Sequence, residues 1–171
     1  MNFEEKPRQT RALAFCGVFL FLLFTLQYSG HLPPLHGAVP FNLLLPAVVF
    51  AGMFFGPWSG ALLGLAAGVF ADAISAGATG FNSVAFFLIG CAAGLFIQHL
   101  LGNTAVAALL LSAGAALLFE TARYLFTYIV IGYANTGFYY VQYSLVSAAL
   151  TTLLALPIYF LFKKLMKIAG R

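Results

Sequence analysis

Between Ala12 and Phe162 the chain carries only three charged side chains, Asp72, Glu120 and Arg123. No long stretch so poor in charge stays folded in water. A soluble domain averages about 25% charged residues, whereas this chain of 171 residues is 7% charged and 63% hydrophobic. Its mean hydropathy is +0.99. The chain must therefore sit in a bilayer. There every backbone polar group has to be satisfied internally, so helices are the default spanning element.

A hydrocarbon core of about 30 Å takes about 20 apolar residues of helix. On that template the sequence predicts an all-α integral membrane protein of six transmembrane helices with short loops, a single polytopic domain over 1–171. The spans are expected at 11–29, 40–55, 57–75, 81–101, 104–131 and 139–162. The second is short and carries Pro46, which predicts a kink or partial insertion. Basic residues cluster at both ends: Lys6, Arg8 and Arg11 before the first span, and Lys163, Lys164, Lys167 and Arg171 after the last. Such clusters mark cytoplasmic flanks, and an even span count puts both termini on that side.

The composition also bears on function. The net charge of +4 is terminal, so it predicts contact with lipid headgroups and no nucleic-acid surface. No loop is long enough for a soluble catalytic domain. Cys16 and Cys91 fall inside apolar runs and read as buried structural thiols. His31, His36 and His99 lack metal-ligand spacing and read as loop or interface residues. Tyr133, Phe138, Tyr139, Tyr140 and Tyr143 form an expected interfacial aromatic belt. A non-enzymatic protein without cofactor or metal is expected.

One ridge organises the third span. Gly56, Gly60, Gly64 and Gly68 recur at spacing four and are followed at the next step by Asp72. Interior glycines cost roughly 0.8–1.0 kcal/mol each relative to Ala in a helix. In lipid they let a second helix lie backbone to backbone against the first. The fifth span echoes the row with Ala108, Ser112, Ala116 and Glu120. Asp72 lies about 22 Å along its helix, and Glu120 and Arg123 about 24 and 28 Å along theirs. All three reach the outer half, near Asn82 and Asn42 at the starts of their spans. Buried charges need partners. The expectation is a polar cluster of Asp72, Asn82, Glu120, Arg123 and Asn42, in which Arg123 bridges Glu120 and Asp72. The alternative is an outward-opening ligand pocket or proton path at the same residues.

Pro40-Phe41-Asn42-Leu43-Leu44-Leu45, the Gly60–Asp72 ridge, the loop Gly77-Ala78-Thr79-Gly80-Phe81-Asn82, and Gly90 and Gly94 beyond it form one connected pattern. This pattern resembles the rod shape-determining protein MreD family. Gly77, Gly80 and Phe81 are the loop residues that carry it. The resemblance implies a scaffold of the bacterial inner membrane that binds an MreC-like partner. It further implies work alongside MreB, RodA and a penicillin-binding protein in lateral peptidoglycan synthesis. It also implies a fold like the substrate-binding subunits of energy-coupling-factor vitamin transporters, the alternative function for such a chain. The bulky first span (Phe15, Phe19, Phe21, Phe24) favours the scaffold over a transporter subunit, whose first span usually shows a small-residue docking face.

Overall fold

The computed structural model describes residues 5–29, 41–74, 80–99, 104–126 and 144–168. Six helices account for nearly all of them: α1 (Glu5–Tyr28), α2 (Leu44–Phe55), α3 (Pro57–Ile74), α4 (Phe81–His99), α5 (Ala105–Tyr124) and α6 (Leu145–Ile168). Among the described residues there is no strand. Five of the helices are long and apolar enough to cross a membrane, and α2 is a shorter apolar helix. The chain is thus a multi-pass membrane protein.

The expected boundaries shift for physical reasons. α1 begins at Glu5 and α6 runs on to Ile168, because helix hydrogen bonding continues past the apolar run through Glu, Lys and Arg, which are good helix formers. Residues 127–143, which include the expected end of span five, the start of span six and the aromatic belt, lie outside the described residues. So do His31, His36 and Gly77. The second span is the largest correction. It was expected from residue 40, yet the helix starts at Leu44 and reaches only about 18 Å. Pro46 does not kink it. Pro46 occupies the first turn, where a missing N–H removes no intrahelical bond.

α2 is the centre of the molecule. Every residue from Leu44 to Met53 is buried, and α2 touches each of the other five helices. A helix apolar on all sides belongs in such a position. Around it stand α1, α3, α4, α5 and α6, in that order. The α3–α4 pair is the most extensive contact and the α4–α5 seam is slight. The ring closes between α6 and α1 where Phe162 meets Phe19 at 5.8 Å, edge to face. Phe50 and Phe54 of α2 stack against Tyr159 and Phe162 of α6, with centroids 5.4–6.3 Å apart. In lipid such close packing replaces the hydrophobic effect as the force between helices.

Successive helices run in opposite directions. One end of the bundle therefore collects Gln27, Asn42, Asp72, Asn82, Glu120, Arg123 and Ser147, hereafter the polar end. The other carries Arg11 and Lys163–Lys167, hereafter the basic end. Gly56, with φ 88°, makes the reversal between α2 and α3 at the basic end. Only glycine adopts that conformation freely.

Candidate functional site

Two features hold the bundle in register: a glycine junction at mid-depth and capping chemistry at the polar end. At the junction, α2, α3 and α4 approach backbone to backbone. A methyl group built on Gly64 would land on the Phe86 carbonyl, and on Gly68 it would strike the Ser83 backbone. On Gly60 it would meet the backbones of Gly52 and Gly90, and on Gly94 that of Pro57. The register is antiparallel in steps of one turn: 68 opposite 83, 64 opposite 86, 60 opposite 90, 57 opposite 94. Gly52 of α2 enters the same junction against Gly90, Ala93 and Gly94. Of the four ridge glycines, Gly60, Gly64 and Gly68 lie on α3 in this contact. Gly56 precedes the helix and acts through its positive φ. Gly80 also has φ 88°, with open space around it, and starts the turn into Phe81.

At the polar end the expected single cluster separates into three units. The first is Asp72. Its Oδ1 accepts from the Asn82 N–H at 3.1 Å. Its Oδ2 accepts from the Ser83 N–H at 2.8 Å and the Ser83 hydroxyl at 2.5 Å. The carboxylate of α3 thereby caps the N-terminus of α4, where unpaired N–H groups and the helix dipole favour negative charge. Arg123 pairs with Glu120, as expected, but its bridge does not extend to Asp72. The shared depth of two residues along their helices fixes nothing about the direction in which each points.

The second unit is Asn42. Its Oδ1 accepts from the Leu44 and Leu45 N–H groups at 3.1 and 3.2 Å, capping α2. Its own N–H donates to Thr151 of α6, and the Leu43 N–H donates to the Gln27 side chain of α1. The start of the central helix is thus tied to the first and last helices of the ring.

The third unit is Glu120, 4% exposed. Its Oε1 accepts from the Ser147 hydroxyl of α6 at 2.7 Å. Its Oε2 lies 3.1 Å from Arg123 Nη2, on a guanidinium whose side chain is 41% exposed. That approach is an ion pair without hydrogen-bond alignment, so Oε2 accepts no hydrogen bond. The two echoed rows have matching endings: an acid on α3 accepts from a serine of α4, and an acid on α5 accepts from a serine of α6. Ala108, Ser112 and Ala116 are buried like their α3 counterparts.

Sequence reasoning missed Gln27, Gly52, Ser83, Ser147 and Thr151. Ser144, Ser147 and Thr151 lie at i, i+3 and i+7 and are all buried. A polar row of that spacing on an apolar helix was a legible signal. Cys16 is buried as expected, while Cys91 is half-buried. Among the described residues no group of His, Cys, Asp and Glu is placed to hold a metal ion.

Comparison with known proteins returned one finding. A family model described as rod shape-determining protein MreD matches residues 8–168, nearly the whole chain. No curated protein and no solved structure matched.

Proposed function

The chain belongs to the MreD family of rod shape-determining proteins, and on that premise we propose that it is a non-enzymatic scaffold of the cell-elongation complex in the bacterial inner membrane. The family match over residues 8–168 carries this reading. In it, the protein binds an MreC-like membrane partner and supports lateral peptidoglycan synthesis with MreB, RodA and a penicillin-binding protein. Both termini face the cytoplasm, as the basic residues at that end favour. The glycine junction supports a scaffold role in physical terms. Backbone-to-backbone contact leaves no side chain free to re-pack, so α2, α3 and α4 form a stiff platform. The vitamin-transporter alternative gains nothing from the family match.

The test combines shape and partnership. In a rod-shaped host lacking its own copy, expression of this chain restores rod shape, and an affinity-tagged version extracted in mild detergent co-purifies an MreC-like protein. Gly64→Leu, which forces α3 off α4, abolishes both. Restored shape without any co-purified elongation protein would refute the scaffold mechanism. A vitamin that raised the melting temperature of the purified protein would revive the transporter alternative.

A further inference from the structure

The six helices form three successive pairs. In each pair a polar side chain of the first helix accepts from the start of the second, at the polar end. Gln27 of α1 accepts from the Leu43 N–H ahead of α2. Asp72 of α3 accepts from Asn82 and Ser83 at the start of α4, with both carboxylate oxygens in use. Glu120 of α5 accepts from Ser147 of α6 through Oε1. The third unit is incomplete. Its Oε2 is buried and accepts no hydrogen bond, which is costly for a carboxylate out of water.

The neighbouring group is incomplete in the complementary sense. A guanidinium carries five N–H donors. Among the described residues, the polar contact of Arg123 is its ion pair to Oε2, which lacks hydrogen-bond alignment. The Arg123 side chain is half exposed while the oxygen beside it is shut off. The guanidinium is thus a cover over Oε2 that no hydrogen bond fastens. Phe126, three residues further along, is exposed on the same rim and leans on Phe81 of α4.

A ligand that completes this unit supplies a donor to Oε2 and an acceptor to the guanidinium at once. It is also neutral. Glu120 and Arg123 cancel, and a charged ligand would leave a net charge where charge is expensive. An amide meets all three demands, with N–H and carbonyl side by side. We propose that the Glu120–Arg123 pair is a docking point for a partner polypeptide at the polar end, and that it engages an amide of the backbone or of an Asn or Gln side chain. This rests on the scaffold reading above and places a contact of the MreC-like partner on the polar rim of α5. The guanidinium turns aside to admit the amide N–H to Oε2, stays next to the carboxylate, and donates to the amide carbonyl.

The full chain is co-expressed with the MreC-like protein of the same host, extracted in mild detergent and captured by its own tag. Retained partner is measured beside helicity and melting temperature. Glu120→Gln with Arg123→Met removes both charges without stranding either. This variant stays helical and retains about tenfold less partner, the loss expected of hydrogen bonds to charged groups. Arg123→Lys keeps the ion pair and the fold but lacks the planar fork. It too retains less partner, and it decides the point if the double variant misfolds. Gly114→Ala, on an open face of α5, retains the partner in full. Benzoyl-phenylalanine at Phe126 crosslinks the partner in a segment outside the cytoplasm; placed at Trp58, exposed at the basic end, it does not. Full retention by both charge variants would show that a water molecule completes the pair, and would overturn the docking point while leaving the scaffold reading intact. Crosslinking from Trp58 and not from Phe126 would do the same. A wild-type chain that captures no partner would overturn the scaffold reading and this site with it.

Discussion

At the scale of single residues, the three charged side chains of the membrane interior have two different jobs. Asp72 terminates a helix. Its carboxylate takes up two backbone N–H groups of α4 and a hydroxyl. Asp72→Ala is therefore expected to cost about 0.5–2 kcal/mol, the usual penalty for losing a capping oxygen. Ser83→Ala leaves both backbone donors satisfied and costs less. Thermal unfolding of the two variants in detergent checks the order, and a larger effect from Ser83→Ala would show that the hydroxyl governs. Glu120 and Arg123 instead join α5 to α6 through Ser147. Arg123→Ala strands a buried carboxylate. That costs about 3–5 kcal/mol in soluble proteins, and less in a membrane, where unassembled helices find other partners. The double change Glu120→Gln with Arg123→Met strands no charge and is expected to unfold at a higher temperature than Arg123→Ala alone. If the double variant were the less stable, the charges themselves would be favourable. The sequence disclosed which residues needed partners, because charge in hydrocarbon is costly wherever it lies. It did not disclose the partners. Ser83 and Ser147 belong to other helices, and pairing between helices depends on rotation about their axes, which depth along a span leaves free.

At the scale of helices, the spacing of the glycines was informative because close approach needs the absence of a Cβ. The three on α3 are met by Phe86, Gly90 and the Asn82–Ser83 peptide of α4. Gly114 of α5 and Gly17 of α1 are helical glycines with nothing within 4 Å of an added methyl. This contrast gives a matched pair of substitutions. Gly114→Ala is expected to be neutral or to stabilise by up to about 1 kcal/mol, the helix-propensity difference. Gly64→Ala drives a methyl into a carbonyl that cannot move alone, at a cost of about 1–3 kcal/mol. Melting temperatures of the two variants decide the point, and equal tolerance would mean that α3 and α4 do not touch. Hydropathy misjudged α2 for a related reason. A window scan counts apolar residues and credits the segment from residue 40 with a span. The helix begins only where Asn42 has supplied the acceptor for its first N–H groups.

At the scale of the whole molecule, the order of the ring was not legible. Amphipathic patterning is weak where lipid and protein neighbours are equally apolar, so the sequence gives helices without their azimuths. The proposed direction rests on the basic residues at the ends. A reporter active only in the cytoplasm, fused at either terminus, is expected to be active in both positions. Activity at one end only would require an odd number of crossings. The central position of α2 bears on how such a protein is made. α2 leaves the ribosome well before α5 and α6, yet both are its neighbours. It is about 12 Å shorter than the hydrocarbon it must sit in. Until the later helices arrive, its capped start lacks the Thr151 contact and its flanks face lipid or the insertion machinery. A nascent chain that stalls after α4 thus presents a half-built wrapper with its centrepiece open on one side. The last contacts of α2, among them the one to Thr151, can form only once α6 has been made.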